Sequence, residues 1–254
     1  MTATAAALLP PPLDGVDVTA AYAPRPSGMS RPFLRINMIT SVDGAITVDG
    51  RSGGLGGRAD RRLFQQLRAE ADVVLVGAGT VRSEQYGPAE LPPELRSART
   101  DRGQAQTPAI AVVTRSCDLD PSSRLFTQSD QRPIVVTAAS APRDRLDRLR
   151  SAADVIVAGQ DRVDLSAALS ALARRGARSV IVEGGPRLNA DLITSGLADE
   201  LCLTLAPCLV GGDGPSIAAL PPSPRRLRLL STLEAGGYLF LRYALDPHAK
   251  GDAS

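Results

Sequence analysis

Runs of β-branched and other apolar residues alternate along this chain with segments in which apolar positions recur at helical spacing. Runs that are apolar throughout predict strands buried on both faces, and helical spacing predicts the helices that cover them. Because no helix separates the last two strands, we predict an α/β fold with a mixed, mostly parallel sheet. The predicted strands are residues 33–40, 72–76, 109–116, 133–137, 154–159, 179–182, 199–207, 226–232 and 238–245. The predicted helices are residues 60–69, 143–151, 165–175 and 186–195.

Three segments without a clear period complete the predicted organisation. A short strand extension is expected at 45–48, and the glycine cluster at 50–57 predicts a mobile loop beside a site. The stretch 84–107, rich in Pro, Arg, Gln and Ser, predicts a long surface loop. We expect one folded domain between a flexible arm and a polar tail, with the three parts at residues 1–30, 31–246 and 247–254.

The stretch from Ser179 to Asn189 joins a buried strand to a helix through Gly184, Gly185 and Pro186. Glycine permits a turn that side chains disfavour, and proline suits the first helical position. Bare backbone at a helix N-terminus favours an anion, because free N–H groups and the helix dipole point outward. An ordinary strand-to-helix turn has the same sequence pattern, so this stretch alone leaves both interpretations open.

A second strand also ends in a glycine turn, at Gly77-Ala-Gly79-Thr80-Val81. It resembles the start of a dinucleotide fingerprint, but Arg82 stands where the third glycine would allow close helix–strand packing. Two such turns at the carboxyl ends of parallel strands are nevertheless suited to a pyrophosphate, since ligands bind at that edge of an open sheet.

A third strand ends in Thr114, Arg115 and Ser116. A guanidinium group and a hydroxyl are suited to a further phosphate, such as the 2′-phosphate of a dinucleotide. A solvated arginine at a strand end is the alternative interpretation of Arg115.

The amino-acid composition argues against several kinds of catalytic and metal-binding site. The only lysine, Lys250, and the only histidine, His248, both lie in the tail, so a Schiff-base lysine, a Ser-His-Asp triad and a histidine metal site are not expected. The net charge is +2 without a basic block, which does not suggest a nucleic-acid partner. Chemistry must therefore use carboxylates, hydroxyls, backbone groups or a cofactor, and we expect no metal.

The cysteines and the N-terminus indicate the cellular compartment in which we expect the protein. The three cysteines have no paired spacing and are expected to be small buried residues in a reducing environment: Cys117, Cys202 and Cys208. The N-terminus lacks a basic region before its apolar residues, and no apolar run reaches the ~20 residues that span a bilayer. We expect a cytoplasmic protein without membrane contact.

Four motifs in order give the sequence a resemblance to the riboflavin-pathway pyrimidine reductases, which share the dihydrofolate-reductase fold. They are Ile39-Thr-Ser41-Val-Asp43-Gly44, Asp72 to Val81, Val182-Glu-Gly-Gly-Pro186, and Leu197-Ala-Asp-Glu-Leu201 leading to Ala206-Pro207. The resemblance covers about residues 31–245. It implies a three-layer α/β/α sandwich, NADPH as hydride donor, a heterocyclic small-molecule substrate and a homodimer.

The resemblance also implies roles for individual residues. Cofactor contacts are expected from the three strand ends, at Gly77, Gly79, Thr80, Val81, Thr114, Arg115, Ser116, Gly184, Gly185, Pro186, Arg187 and Leu188. Substrate contacts are expected from Asn37, Ser41, Asp43, Glu84 and Glu183. Asp43 and Glu183 are the candidate catalytic carboxylates, to relay or position a proton. Their alternatives are a turn-stabilising Asp-Gly aspartate and an ion-paired glutamate at a strand end.

Two departures from the family pattern lie on the substrate side. Ala45 occupies the place of the lysine that usually follows Asp-Gly, and Glu84-Gln-Tyr replaces Asp-Asp-Pro. The signature of the family's fused deaminase half does not occur in these residues. The resemblance therefore predicts an NADPH-dependent reductase of a pyrimidine- or pterin-like heterocycle, such as a phosphorylated 5-amino-6-ribosylaminouracil. A dihydrofolate-reductase-like activity and an NADPH-binding sensor without turnover are the alternatives.

Overall fold

A computed structural model describes residues 15–22, 30–212 and 214–245. The strands are β1 Phe33–Ser41, β2 Val73–Gly77, β3 Ala109–Val113, β4 Ile134–Thr137, β5 Asp154–Val157, β6 Ser179–Val182, β7 Glu200–Ala206, β8 Arg228–Ala235 and β9 Tyr238–Ala244. The helices are α1 Val18–Ala21, α2 Arg58–Glu70, α3 Ala78–Ser83, α4 Pro93–Asp101, α5 Arg124–Thr127, α6 Arg143–Arg150, α7 Leu165–Arg174 and α8 Pro186–Thr194. A single 3-10 turn, Ser52–Gly54, precedes α2.

The strands form one sheet in the order β5-β4-β3-β2-β6-β1-β7-β9-β8. The pairs from β5 across to β7 are parallel, whereas β9 runs antiparallel to both β7 and β8. The predicted mixed, mostly parallel sheet is confirmed. Because the parallel strands share one direction, their carboxyl ends meet at one edge, where β2, β6 and β1 are neighbours.

Helices cover both faces of the sheet, which gives three layers. On β2, Val73 and Leu75 pack into the core with α7 and α8, while Val74 and Val76 pack into the core with α2 and α3. Helix α6 packs on the same side as α2, against Val135 of β4. Coverage of both faces is the physical reason that these strands are apolar at every position rather than at alternate ones. The predicted α/β/α sandwich is confirmed.

The predicted surface loop at 84–107 is wrong in part, because it contains helix α4. The buried side of α4 carries Arg99, whose side chain is 1% exposed and therefore adds no apolar period to the sequence. Its guanidinium donates hydrogen bonds to the carbonyl oxygens of Ala69 at 2.9 Å, Ala71 at 2.6 Å and Ala105 at 2.7 Å. Arg99 thus satisfies carbonyl groups at the C-terminal end of α2 in place of a hydrophobic contact.

Several shorter elements and the exposure of one cysteine also differ from prediction. The expected extension at 45–48 is only an isolated bridge between Val48 and Arg51. Strand β3 ends at Val113, before the polar residues 114–116, and the short helix α5 was not predicted. Cys208 is exposed, contrary to expectation, while the other two cysteines are buried.

Part of the predicted N-terminal arm packs on the domain. Residues 15–22 contain α1, and Tyr22 is 1% exposed. The guanidinium groups of Arg35 and Arg242 lie 5.7 and 5.4 Å from the centre of its ring, within cation–π range. The rest of the arm, the tail, His248 and Lys250 lie outside the described residues.

A buried ionic network joins three strands beneath Tyr22. Glu200 on β7 accepts hydrogen bonds from Arg35 on β1 at 2.9 Å and from Arg242 on β9 at 2.9 and 3.0 Å. Burial would raise the pKa of the Glu200 carboxyl, but the hydrogen bonds and charges of the two arginines outweigh it and lower that pKa. The carboxylate therefore stays charged and neutralises two cations that the core could not hold alone.

We expect Glu200→Ala to reduce the free energy of unfolding by about 3–5 kcal/mol, because it leaves two buried guanidinium groups unpaired. Glu90→Ala is the matched control, since Glu90 pairs with Arg124 at 3.2 Å in an exposed ion pair. The control should lose roughly 1 kcal/mol or less. Chemical denaturation measures both, and equal losses would contradict a structural role for the buried network.

Candidate active site

A cavity of about 670 Å³ opens where the carboxyl ends of β1 and β6 face the N-terminal half of α2. Its walls come from β1, the glycine-rich loop before α2, one face of α2, the end of α3 and the turn before α8. The predicted site residues among those that line it are Asn37, Thr80, Glu84, Glu183, Gly184, Gly185 and Pro186. The position of the glycine-rich loop beside the site is confirmed by Gly50, Ser52, Gly53 and Gly56 in the lining.

The two glycine turns are in direct contact. The N–H of Gly77 donates to the carbonyl of Gly184 at 2.8 Å. A Cβ on Gly77 would lie 3.3 Å from the nitrogen of Gly185, and a Cβ on Gly185 would lie 2.9 Å from Oγ1 of Thr80. Side chains at either turn would therefore separate them, so bare backbone is needed for the contact.

Within the second turn, the two glycines meet different constraints. Gly184 has a φ of +87°, which side-chain-bearing residues adopt only with strain. Gly185 has a φ of −78° and is the N-cap of α8, so its constraint is the nearby Thr80 rather than its own backbone. The peptide bond between them is cis.

Helix α8 presents free donors at this turn. Pro186 is its first residue, as predicted, and the N–H of Asn189 already bonds to the carbonyl of Gly185 at 3.0 Å. The N–H groups of Arg187 and Leu188 lie in the first turn, where no intrahelical acceptor exists. The arrangement is suited to an anion, because these donors and the helix dipole face the same way.

The first glycine turn is not a loop. Gly77 is the N-cap of α3, and the next residues, including Gly79, Thr80 and Val81, are already helical. Val81 and Leu188 have their side chains in the two core clusters. Side-chain contact of these two residues with a cofactor is therefore not supported, and neither residue lines the cavity.

Residues 114–116 follow β3 at the same edge of the sheet, one strand beyond β2. Thr114 is buried and its Oγ1 accepts the N–H of Cys117 at 3.0 Å. Arg115 and Ser116 are exposed. None of the three lines the cavity, so their contact with a 2′-phosphate stays a prediction.

Glu183 lines the cavity, but its carboxylate is already held. Arg68 donates to Oε1 and Oε2 in a fork, at 2.7 Å for each bond. The hydroxyl of Tyr86 donates to Oε2 as well, and the guanidinium of Arg68 lies 4.2 Å from the ring centre of Phe64. Glu183 is thus an ion-paired glutamate at a strand end that also forms part of the cavity wall.

Asp43 does not line the cavity. Its exposed carboxylate accepts hydrogen bonds from the hydroxyl of Ser41 and from the N–H groups of Val210 and Gly211, the last at 2.7 Å. These bonds, that of Ser41 first, lower the pKa of the Asp43 carboxyl. Its contacts are those of a turn-stabilising aspartate, and a substrate role for Asp43 or for the buried Ser41 stays a prediction.

The remaining predicted substrate residues differ in whether their side chains are available to bind a ligand. Asn37 lines the cavity and its side-chain amide makes no hydrogen bond among the described residues, so it is available to a ligand. The carboxylate of Glu84 accepts the N–H of Ser52 at 2.9 Å and ties the glycine-rich loop to the end of α3. Ala45 is not in the lining, although the next two residues are.

The α2 face of the cavity was missed by sequence reasoning. Asp60, Phe64 and Arg68 recur every four residues and lie on the cavity side of this helix, and Arg61 lines the cavity too. Phe64 lines the cavity, whereas Leu63 and Leu67 of the same helix are buried in the core. A polar stripe at helical spacing beside a predicted site loop was the signal that could have identified this face.

Asp60 is the cavity carboxylate whose pKa is raised by its surroundings. Burial raises the pKa of its carboxyl, and a hydrogen bond from the hydroxyl of Thr204 and the charge of Arg61 only partly offset that effect. The residue beside this carboxyl must be small, because a Cβ on Gly56 would lie only 2.9 Å from Oδ2 of Asp60.

Known proteins are similar to this chain in sequence and in fold. The sequence profile of the RibD C-terminal domain matches residues 32–240. The chain belongs to this family. The 2,5-diamino-6-ribosylamino-4(3H)-pyrimidinone 5′-phosphate reductase of Archaeoglobus fulgidus is 33% identical over 189 residues, which cover 74% of this chain and 86% of that protein. The enzyme of the same name from Methanothermobacter thermautotrophicus is 32% identical over 223 residues, 85% of this chain and 99% of that protein.

A solved structure agrees with these relatives. A pyrimidine reductase-like protein from Corynebacterium diphtheriae superposes with a TM-score of 0.78 and 31% identity, covering 89% of this chain and 97% of that one. The predicted family, its fold and its class, a reductase of the riboflavin pathway, are therefore confirmed.

The described residues contain neither a membrane-spanning helix nor a cluster of metal-ligating side chains. None of their helices is long and apolar enough to cross a bilayer, and no group of three or more possible metal-ligating side chains occurs among them. The cytoplasmic location stays a prediction.

Alanine substitutions should distinguish the two glycines of the second turn. Gly184→Ala should reduce the free energy of unfolding by about 1–2 kcal/mol through backbone strain, whether or not Thr80 is present. Gly185→Ala should also be destabilising, but the added Thr80→Ala substitution should recover the loss, since it removes the atom at 2.9 Å. Denaturation of the single and double variants without ligand measures this. Recovery of Gly184→Ala by Thr80→Ala would contradict the assignment.

Proposed function

We propose that this protein is an NADPH-dependent reductase of a phosphorylated ribosylaminopyrimidine. The observation that carries the proposal is the cavity of about 670 Å³ bounded at one side by the paired glycine turns and the N-terminus of α8. Relatives of similar length are named as reductases of a 2,5-diamino-6-ribosylamino-pyrimidinone 5′-phosphate, which supports this class of substrate.

The residues present fit a dinucleotide. A pyrophosphate requires close approach of bare backbone and free donors, and the Gly184-Gly185 turn supplies the first while the first turn of α8 supplies the second. Gly77, Gly79 and Thr80 would hold the other side, and Pro186 would border the cavity. When bound, NADPH would supply a hydride.

The protein's own contribution is orientation and exclusion of water. The fork from Arg68 and the hydroxyl of Tyr86 hold Glu183 in one position, so its carboxylate can orient a substrate or the nicotinamide without moving. Asn37 offers a free amide for the polar edge of a heterocycle. The tie between Glu84 and Ser52 keeps the glycine-rich loop over the cavity, where it would limit water.

A second candidate is reduction of a dihydropterin or folate. It is favoured by Ala45, because the family's usual lysine is missing at that position, which weakens recognition of a phosphorylated ribosyl chain. An NADPH-binding sensor would bind the cofactor without consuming it.

Oxidation of NADPH, followed at 340 nm with the phosphorylated pyrimidine and with dihydrofolate in parallel, tests these alternatives. We expect faster turnover of the pyrimidine. Faster turnover of dihydrofolate would favour the second candidate. Binding of NADPH without oxidation in either assay would indicate a sensor.

The cofactor assignment makes a prediction about Arg115. If Arg115 and Ser116 hold a 2′-phosphate, NADPH should bind more tightly than NADH by about 1.5–3 kcal/mol. Arg115→Ala should reduce that difference and leave NADH affinity unchanged, because the exposed side chain contributes nothing to the fold. Calorimetric titration with both cofactors measures it, and equal losses for both would contradict the assignment.

We also propose a homodimer. Exposed apolar side chains adjoin one another at Val42, Leu209 and Val210, because the N–H of Val42 bonds to the carbonyl of Cys208 at 3.0 Å. An apolar surface of this kind favours association. Light scattering should give twice the chain mass for the wild type and a lower mass for Leu209→Asp. A monomeric wild type would exclude the dimer.

A further inference from the structure

Resting on the proposed reductase function, we propose that Asp60 donates the proton that accompanies hydride transfer to the substrate. The carboxyl of Asp60 lies in the cavity wall on the first turn of α2, and no relative's name or motif points to it. The inference follows from which acidic groups reach the cavity and what each of them already binds.

Three acidic side chains line the cavity among the described residues: Asp60, Glu84 and Glu183. Glu183 receives two bonds from Arg68 and one from Tyr86, so both of its oxygens are occupied as acceptors of a charged form. The carboxylate of Glu84 accepts a backbone N–H. Both carboxylates are therefore already engaged as hydrogen-bond acceptors that hold parts of the cavity wall in place.

Asp60 has a different environment. The hydroxyl of Thr204 acts on this carboxyl, and a hydroxyl can donate to the charged carboxylate and accept from the protonated carboxyl. A side chain at position 56 would crowd this carboxyl, since a Cβ on Gly56 would lie 2.9 Å from Oδ2 of Asp60. The carboxyl can therefore gain or lose a proton without breaking a charged pair.

The sheet places this carboxyl near the predicted reaction centre. Thr204 on β7 pairs with Ile39 on β1, and both Ile39 and Asn37 line the cavity. Alternate residues on neighbouring strands face the same side, so Asn37 and Thr204 both point toward α2. Asp60 thus lies across the cavity floor from the free amide that we expect to bind the heterocycle.

The surroundings of Asp60 raise the pKa of its carboxyl and so favour the protonated form. Burial raises the pKa of Asp60, while Thr204 on β7 and Arg61 on α2 lower it by less. The glycine-rich loop presents uncharged Gly56, and the ion pair of Arg68 with Glu183 occupies the next turn of the wall. A raised pKa is what a proton donor needs to hold its proton at working pH.

Reduction of a ribosylamino substrate requires one hydride and one proton. A bound NADPH would supply a hydride to C1′ of the ribosyl group, and the bond between C1′ and the ring oxygen would break. The ring oxygen would take the proton of Asp60 and become a hydroxyl group, so the ring would open to an alcohol chain. Asp60 would be left as a carboxylate, which solvent would protonate again before the next turnover.

The pH dependence of turnover tests this role. Asp60→Asn should lower kcat by about 10²-fold or more, since general acid catalysis typically contributes that much. Thr204→Val removes the hydroxyl that stabilises the charged carboxylate, so it should retain turnover and move the alkaline fall in rate to higher pH. Asp144→Asn is the matched control, because Asp144 lies in the first turn of α6 and is exposed to solvent. Its rate and pH profile should equal those of the wild type.

A second readout needs neither cofactor nor substrate. A buried carboxyl with a raised pKa stabilises the fold fully below its unfolded pKa, and this stability is lost as pH rises through the folded pKa. Asp60→Asn cannot ionise, so its melting temperature should rise relative to the wild type as pH increases through that range and then level off. Asp144→Asn should show no such rise. A flat difference for Asp60→Asn would overturn the inference.

Failure of the inference and failure of the proposed function are distinguishable. If the wild type oxidises NADPH with the pyrimidine and Asp60→Asn does so within a few-fold, with an unchanged pH profile, the inference is overturned and the reductase function stands. If the wild type turns over neither substrate, the proposed function is overturned and the inference with it. An unshifted profile for Thr204→Val with active wild type would also overturn the inference.

Discussion

The contact between two bare glycine turns is the constraint on which this site depends. The hydrogen bond from Gly77 to Gly184 and the fit of Gly185 against Thr80 hold the ends of β2 and β6 closer than side chains would permit. That closeness directs the N-terminus of α8 toward the cavity. Two turns that separately look like ordinary strand-to-helix connections become one surface of backbone donors only because β2 and β6 are neighbours in the sheet.

The carboxylates of this protein differ in function because their surroundings differ, although their chemistry is the same. Glu200 is charged and buried between two arginines, where it stabilises the packing of β1, β7 and β9. Glu183 is charged and forked to Arg68, which makes it a rigid part of the cavity wall. For Asp60, burial raises the pKa of the carboxyl, and the hydroxyl of Thr204 and the charge of Arg61 only partly offset that effect.

Much of the fold could be predicted from the sequence because fully buried strands must be apolar on both faces. The strands at 73–77, 134–137 and 179–182 each contain a run of at least three consecutive apolar residues, and Pro186 after two glycines correctly marks the start of α8. Helix α4 could not be predicted, since its buried face carries Arg99 and so lacks an apolar period. The site was predictable where it uses backbone, at the glycine turns, and less so where it uses side chains.

The sequence by itself determined the layered architecture, the two glycine turns and the absence of lysine and histidine from the described domain. Only the tertiary structure decided which polar groups are free to act. The sequence pointed to Asp43 as a candidate acid and not to Asp60, yet backbone N–H groups from a loop 167 residues away hold Asp43 outside the cavity. Asp60 is partly buried in the cavity wall on α2, beside the hydroxyl of Thr204 on β7. Burial and hydrogen-bond partners arise from long-range packing, and they set the proton affinity of a carboxyl.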